Sequence, residues 1–492
     1  MNILLVYPKF PDTFWSFKHA LKFIAKKTAY PPLGLLTVAA LLPEEWNKKL
    51  IDMNVEKLRE SHLDWADYVF ISAISLQTES AKSIILRCKK AGIKIVAGGP
   101  LFTEWHENYD DVDYLVLNEA EITLPFFLKD LAKGCPKHIY TSKERPDIRQ
   151  TPIPLWNLID KKNYSSMNIQ FSRGCPFNCE FCDIIVLYGR TPRLKSTAQI
   201  IDELQSLYEF GWRGSVFFVD DNFIGNRVKL KKEVLPAIIE WSEKEGYPFE
   251  FSTEVSINLS DDAELLNLMV KAGFKTVFVG IESPHDESLL ECNKHQNRNR
   301  DLKECVNLIQ KHGLQVQGGF ILGFDNDPDS IFDTLIRFIQ DSKIVVAMVG
   351  LLNAPRGTRL FQRLNDEQRI ISNISGNNTD FSMNFIPNMD YNKLIQGYRK
   401  VIITIYSPQY YYKRVMQYLA DSKELRVNNK NSITMNDIVA FVKSLFKIGI
   451  IGRDRIWYWK LLFHTLFTAP TQLPAAVTFA IYGYHFRKIY DI

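Results

Sequence analysis

Short apolar runs recur along this chain between polar or glycine-rich breaks, and their spacing is that of strands alternating with helices. Asn2–Tyr7 (NILLVY), Lys49–Asp52 (KLID), Tyr68–Ser72 (YVFIS), Lys94–Ala97 (KIVA) and Tyr114–Leu117 (YLVL) read as buried strands. Helical periodicity fills Leu33–Leu42, Glu79–Ala91 and the region Leu124–Ala132, with Gly92 as a C-cap. A breaker-rich stretch, Lys133–Pro154, carries Pro136, Pro146, Pro152 and Pro154 and reads as a linker. A second alternation then starts at Asn168–Ser172. Its strands continue at Ser215–Val219, Phe249–Glu254, Thr276–Ile281, Val316–Leu322 and Ile344–Gly350. Helices at Ser196–Phe210, Val228–Glu245 (kinked at Pro236), Asp261–Ala272, Asp301–His312 and Asp329–Asp341 separate them.

The pattern predicts an α/β protein in four parts. Residues 1–135 form a flavodoxin-like (Rossmann) domain that binds ligands at the carboxyl ends of its strands, and 136–165 a linker. Residues 166–370 form a partial (βα)6 TIM barrel, two units short of closure. Residues 371–492 are helical and aromatic-rich, with Met389–Tyr412 as one helical stretch and Trp457, Tyr458, Trp459, Phe463 and Phe467 further on. No run reaches the ~20 apolar residues of a spanning helix. A helical cap on the barrel and an interfacial surface for peripheral membrane association are both consistent with this tail.

Composition narrows the class. A chain of 492 residues with 46% hydrophobic and 24% charged residues has the content of a large globular enzyme. The net charge of +4, without a dominant basic block, implies no nucleic-acid partner. Seven cysteines, an odd count, with no signal peptide, read as a cytoplasmic protein in a reducing compartment.

Three of those cysteines, Cys175, Cys179 and Cys182, fall within eight residues directly after an apolar strand. Structural zinc wants four closed ligands, and no His or Cys follows at suitable spacing. Three thiolates can instead hold three irons of a 4Fe–4S cluster and leave the fourth open to another ligand. Polar residues at the later strand ends are candidate ligand contacts: Asp220, Asp221 and Asn222 after the second barrel strand, Glu254 after the third, and Glu282 with Ser283 after the fourth. Gly318 and Gly319 in the fifth permit close approach of a ring or simple packing, and Arg190 and Arg193 either hold carboxylates or cap the surface. In the first domain, Gly98-Gly99 ends a strand where backbone can approach a flat cofactor.

The Cys-x3-Cys-x2-Cys spacing, with Phe181 before the last cysteine, resembles the radical S-adenosylmethionine (SAM) superfamily. The resemblance implies that SAM chelates the open iron and is cleaved to a 5′-deoxyadenosyl radical. It also implies cofactor contacts at Phe181, Asp220, Asp221, Asn222, Glu254, Glu282, Ser283 and Gly319. Gly98-Gly99-Pro100, Thr103, Ser72 and Asn118-Glu119-Ala120-Glu121 resemble the cobalamin-binding domain that precedes many such barrels, which implies cobalamin at Ser72, Gly98, Gly99 and Thr103. The Asp-x-His-x-x-Gly motif of better-known cobalamin proteins is absent, so no histidine from it ligates cobalt; a domain that keeps the fold without the cofactor is the alternative. With cobalamin, the implied reaction is methylation of an unactivated carbon. Tyr7-Pro8-Lys9-Phe10-Pro11, Ser172–Asp183 and Asp220–Asn226 resemble the hopanoid methylase branch, which implies a lipid or terpenoid substrate and a reductant such as flavodoxin or ferredoxin. A radical SAM cyclase or rearrangement enzyme, and a non-catalytic iron–sulfur protein, remain the competing readings.

Overall fold

The computed structural model describes residues 1–377, 379–422 and 435–492. Its first sheet has six parallel strands: β1 Asn2–Tyr7, β2 Asn47–Asp52, β3 Tyr68–Ser72, β4 Lys94–Gly98, β5 Tyr114–Val116 and β6 Ile139–Tyr140. Their order is 2-1-3-4-5-6, so the first five keep the flavodoxin-type arrangement. β6 lies in the stretch read from sequence as linker. It adds to the edge by pairing Leu115 with Ile139 and Val116 with Tyr140. Tyr140 secures it, burying its ring on Phe127 at 5.6 Å while its hydroxyl donates to Asp130 at 3.1 Å. A two-residue strand carries too little periodicity to be seen in sequence.

Alternation in these strands sends side chains to two different cores. Leu4, Val6, Val69 and Ile71 pack in a separate cluster on one face. Ile3, Leu5, Phe70 and Val96 face the other way, into a core continuous with that of the barrel. The two units are therefore packed together through apolar contact, beyond the connecting chain.

The second sheet has six parallel strands in consecutive order: β7 Ser166–Ile169, β8 Gly214–Phe218, β9 Phe249–Val255, β10 Phe274–Glu282, β11 Gln315–Leu322 and β12 Ala347–Leu351. This is the open (βα)6 barrel. β7 stops at Ile169, short of the Ser172 expected from sequence, and Ser172–Arg173 instead pairs antiparallel with Arg193–Leu194. The predicted kink at Pro236 is met by a π-helical turn, Leu230–Val234, just before the proline. Burial alternates strictly in β9: Phe249, Phe251, Thr253 and Val255 are buried against the helices, leaving Glu250, Ser252 and Glu254 toward the barrel lumen.

The C-terminal region is helical. Tyr391–Tyr406 and Pro408–Asp421 are two helices broken at Ser407, where a single helical stretch was expected, because Pro408 starts a new helix more readily than it continues one. Met435–Ser444 runs into a π-helical turn, Leu445–Ile450, followed by helices Arg455–Thr468 and Leu473–Tyr490. The last of these returns to the N-terminal segment: Phe486 stacks on Phe14 at 4.3 Å, and the His485 ring meets the Phe14 carbonyl at 3.0 Å. Among the described residues no helix is long and apolar enough to cross a membrane.

Candidate active site

The cysteine loop leaves β7 and is clasped from several sides. Gly174 has φ +98°, and a Cβ there would meet the Gly189 carbonyl at 2.9 Å, so glycine is required at the turn into Cys175. The Cys175 amide donates to the same Gly189 carbonyl at 3.2 Å. Further along, the Glu180 amide donates to Cys292 and its carbonyl accepts from Leu360, while its carboxylate takes Arg363 at 2.9 and 3.2 Å. Arg363 also holds Asp325 at 3.0 Å, and Arg359 donates to the Asn178 carbonyl. Phe181, half-buried, packs at 6.4 Å from Phe324. All three loop cysteines are free of disulfides. Burial raises the Cys175 and Cys182 thiols above the ordinary cysteine value.

Acids at the strand ends, indistinguishable in sequence, divide in the structure. Asp220 is 1% exposed and accepts from the backbone amides of Phe171 and Ser172, so it fixes the path into the loop. Asn222 accepts from the Ser256 amide at 3.2 Å and ties β8 to the chain beyond β9. Asp221 accepts from the Gly174 amide at 2.8 Å. Ser283 is fully buried and accepts from the His285 amide. Asp220, Asn222 and Ser283 thus each bind backbone amides of the scaffold. Glu254 differs: no group among the described residues hydrogen-bonds its carboxylate, which looks into the lumen. Burial, then the charges of Asp221 and Asp220, push Glu254 up to about 7. Burial likewise pushes Asp220 to about 7 and Asp221 to about 6.

Glu282 occupies a left-handed backbone conformation, φ +65°, at a register shift between β10 and β11. The irregularity directs its carboxylate to Lys294, 2.7 Å away and almost as buried. Burial works against the Lys294 ammonium, but Glu282 and the Cys179 thiol hold it charged. Gln296 donates to the Cys179 sulfur at 3.8 Å. Lys294 was missed in the sequence because the loop after Glu282 carries no periodicity, although a lysine following Glu-Cys-Asn beside a strand-end acid is a usable signal. Cys292 lies close by, but its thiol donates to the Leu289 carbonyl and burial raises it strongly.

Gly319, Gly98 and Gly99 are tightly packed against protein atoms. A Cβ on Gly319 would meet the Phe278 ring at 2.6 Å, so that glycine makes room for a protein side chain. A Cβ on Gly98 would meet the Val116 carbonyl at 2.6 Å, and one on Gly99 (φ +87°) the Ser72 hydroxyl at 2.6 Å. The Thr103 hydroxyl accepts from the Asn118 amide at 2.9 Å. Beside these residues a cleft opens at the carboxyl ends of β3–β5, lined by Leu35, Val38, Ser72, Ala97, Gly98 and Leu124. Arg190 is exposed, whereas Arg193 bonds Glu119 at 2.9 Å and the Pro146 carbonyl, and its charge reaches Asp221. Together with Arg173, bonded to Glu119 at 2.6 Å and Glu121 at 3.0 Å, it locks the first domain to the cysteine loop. Across the same boundary Glu104 of the first domain faces Asp183 of the loop; burial and Asp183 push Glu104 up to about 7.

Comparison with known proteins gives this arrangement its family. A B12 binding domain matches residues 25–128, the Radical SAM superfamily residues 169–339, and a domain of unknown function residues 358–492. The hopanoid C-2 methylase of Rhodopseudomonas palustris is 33% identical over 94% of this chain and 89% of its own length. The chain belongs to the cobalamin-dependent radical SAM methylases. An uncharacterized methyltransferase of Synechocystis is 39% identical over all of this chain and 92% of its own. Among solved structures, the cobalamin-dependent radical enzyme OxsB shares the fold with TM-score 0.59 at 15% identity, over 100% of this chain and 83% of that one. TsrM of Kitasatospora setae does so with TM-score 0.59 at 14% identity, over 76% and 79%.

As a member of these methylases the enzyme uses a 4Fe–4S cluster, SAM and cobalamin, and it is a C-methyltransferase. The donor set fits. Among the described residues no three His, Cys, Asp or Glu side chains close on a single ion. A four-iron cluster does not ask for that, since each thiolate binds a different iron. In the first domain the small residues at the strand ends hold the cleft open.

Proposed function

We propose that this enzyme methylates an unactivated carbon of a lipid or terpenoid, with the substrate held in the barrel lumen. The carrying observation is Tyr30. It is 39% accessible, yet burial raises its hydroxyl strongly, and Glu254 is close enough to add to the rise. Accessible surface beside the lumen-facing Glu254 puts Tyr30 at the lumen wall. Aromatic pairs continue that wall: Tyr30 with Phe217 at 5.3 Å, Trp15 with Phe278 at 5.4 Å, and Phe17 with Tyr482 at 5.1 Å. Such a lining suits an apolar, bulky substrate. The lipid substrate named for the Rhodopseudomonas relative supports the same class.

In this reading Cys175, Cys179 and Cys182 hold the cluster. Lys294 is available to a carboxylate beside Cys179, and Glu254, lacking a protein partner, to the hydroxyl or ammonium hydrogens of SAM. Ser72, Gly98, Gly99 and Thr103 border the cobalamin. When bound, these groups supply a carbon radical and a transferable methyl. The chain needs no acid or base to generate the radical; its task is to hold the target C–H bond close and to exclude water, which the aromatic wall does. Four parts, 1–135, 136–165, 166–370 and 371–492, divide this work, and electrons come from a flavodoxin or ferredoxin. The protein works at a membrane surface without spanning it.

Labelled methyl groups test the substrate. Cells expressing the enzyme and fed methyl-labelled methionine gain label in an apolar lipid, and cells expressing Cys179→Ala do not. Label confined to a water-soluble metabolite rejects the lipid class. Release of 5′-deoxyadenosine without S-adenosylhomocysteine by purified enzyme rejects methyl transfer in favour of rearrangement.

A further inference from the structure

Helix Met435–Ser444, its π-helical continuation Leu445–Ile450 and helix Arg455–Thr468 are apolar on two opposite sides. One side is buried, through Ala440, Ile448, Tyr458, Leu461 and Leu462. The other is bare. Ile438, Val442, Phe446 and Ile450 project from the first helix at helical spacing, 47–59% exposed. Ile456, Phe463 and Phe467 do the same on the second, at 75%, 54% and 81%. Trp459 joins the two stripes by donating its indole N–H to the Gly449 carbonyl at 2.9 Å and stacking on Phe463. Of the 27 exposed large hydrophobic side chains among the described residues, 12 fall between Met435 and Phe467, so this is one concentrated patch and not scattered surface.

Charge sets the partner. Lys447, Arg455 and Lys460 lie in these same elements and Arg453 in the turn between them, all exposed, while Lys443 donates to the Lys22 carbonyl. Of the two acids there, Asp437 and Asp454, the second is buried, 2.5 Å from Arg487 and bonded to the Tyr412 hydroxyl. An apolar stripe beside basic side chains is the composition of a helix lying in the plane of a bilayer whose headgroups are anionic. Asp437 is the one exposed acid among these basic side chains, so the net charge of the face is positive.

The location also suits a membrane. The short segment Phe17–Phe23 connects the lumen wall to this face: Phe17 packs on Tyr482 at one end, and at the other Phe23 packs on Tyr484 beneath Lys447. We infer that the exposed apolar face of residues 435–467 is a docking surface for an anionic lipid bilayer. It seats the enzyme with the Phe17–Phe23 segment between the membrane and the barrel lumen.

Vesicle co-sedimentation of the full-length purified protein tests this. Vesicles containing phosphatidylglycerol bind it, pure phosphatidylcholine vesicles bind it less, and raised salt weakens the first more than the second. The double variant Phe463→Glu/Phe467→Glu loses about tenfold or more of its vesicle affinity, and Arg453→Gln/Lys460→Gln lowers binding to anionic vesicles by about tenfold or more. Both pairs are solvent-exposed, so melting temperature and cobalamin uptake stay at wild-type values; if the glutamate pair melts early, Phe467→Ser alone still weakens binding. Equal binding by wild type and variants overturns the inference, as does a wild type that ignores anionic vesicles. A stable dimer that these substitutions dissolve into monomers overturns it too, since the face would then belong to a second copy. Vesicle binding is read without turnover, so the result stands apart from the identity of the methylated substrate.

Discussion

Two sets of buried acids surround the cysteine loop, and they behave in opposite ways. Asp220 and Glu121 are closed, with backbone amides or arginine on their oxygens, and Arg173 and Arg193 share one oxygen of Glu119. Glu254 is open, without a hydrogen-bond partner among the described residues. Glu104 and Asp183 stand between the two, facing each other across the domain boundary while each keeps hydrogen bonds of its own. The closed acids build the scaffold that fixes the loop, whereas the open acid is left for what the site binds. An acid after an apolar strand marks the site in sequence; only its partners tell which set it joins.

The largest effect should come from opening a closed pair. Arg173→Leu strips Glu121 of its main partner and leaves a buried charge, which costs about 3–5 kcal/mol of stability. Burial favours the neutral form of Glu121, but Arg173 overrides it and holds the group below the usual carboxylate value. Its contribution is therefore present above the unfolded carboxylate range and is lost as pH falls through the lowered folded value. Denaturant titrations of the wild type and Arg173→Leu at pH 7 and pH 4 check both the size and the sign.

Next is Asp220→Ala, which orphans the buried amides of Phe171 and Ser172. At about 1–3 kcal/mol for each lost partner, the variant melts early and retains little iron after anaerobic reconstitution. Iron and sulfide analysis beside a thermal melt reads this out.

The smallest effect has the opposite pH sign. Because the folded Glu254 carboxyl is raised to about 7 from 4.5, it binds a proton more tightly folded than unfolded between those values. Its contribution is full below the unfolded value and is lost as pH rises through about 7. Glu254→Gln should flatten the fall in stability of the cofactor-free protein between pH 5 and pH 8 by about 1 kcal/mol, a discounted figure for a group facing a solvated lumen. An unchanged slope would show that folding does not raise the Glu254 carboxyl.

Much of this was legible beforehand, for physical reasons that vary by element. Strands such as Tyr68–Ser72 are buried on both faces and announce themselves as continuous apolar runs. The three cysteines announce chemistry by spacing alone. By contrast, β6 is two residues long, and Pro408 splits what reads as one helix because its effect depends on the bend the packing requires. Arg193 reads in sequence as either a carboxylate contact or a surface cap, and its pairing with Glu119, 74 residues away, is visible only in the fold. The same non-locality hid Lys294, whose significance comes from Glu282 and Cys179 meeting it in space. The tail's aromatic content was visible, whereas the division of its helices into a buried and a bare side needed the fold.

SAM binding measured against cluster content, in reconstituted Asp220→Ala and Glu254→Gln side by side, tests the division between closed and open acids most directly. Glu254→Gln should keep wild-type iron and lose about tenfold or more in SAM affinity, the worth of a hydrogen bond to a charged group. Asp220→Ala should lose iron first, with SAM binding failing only in proportion. Iron lost from Glu254→Gln, or SAM affinity lost from an iron-replete Asp220→Ala, would contradict the account.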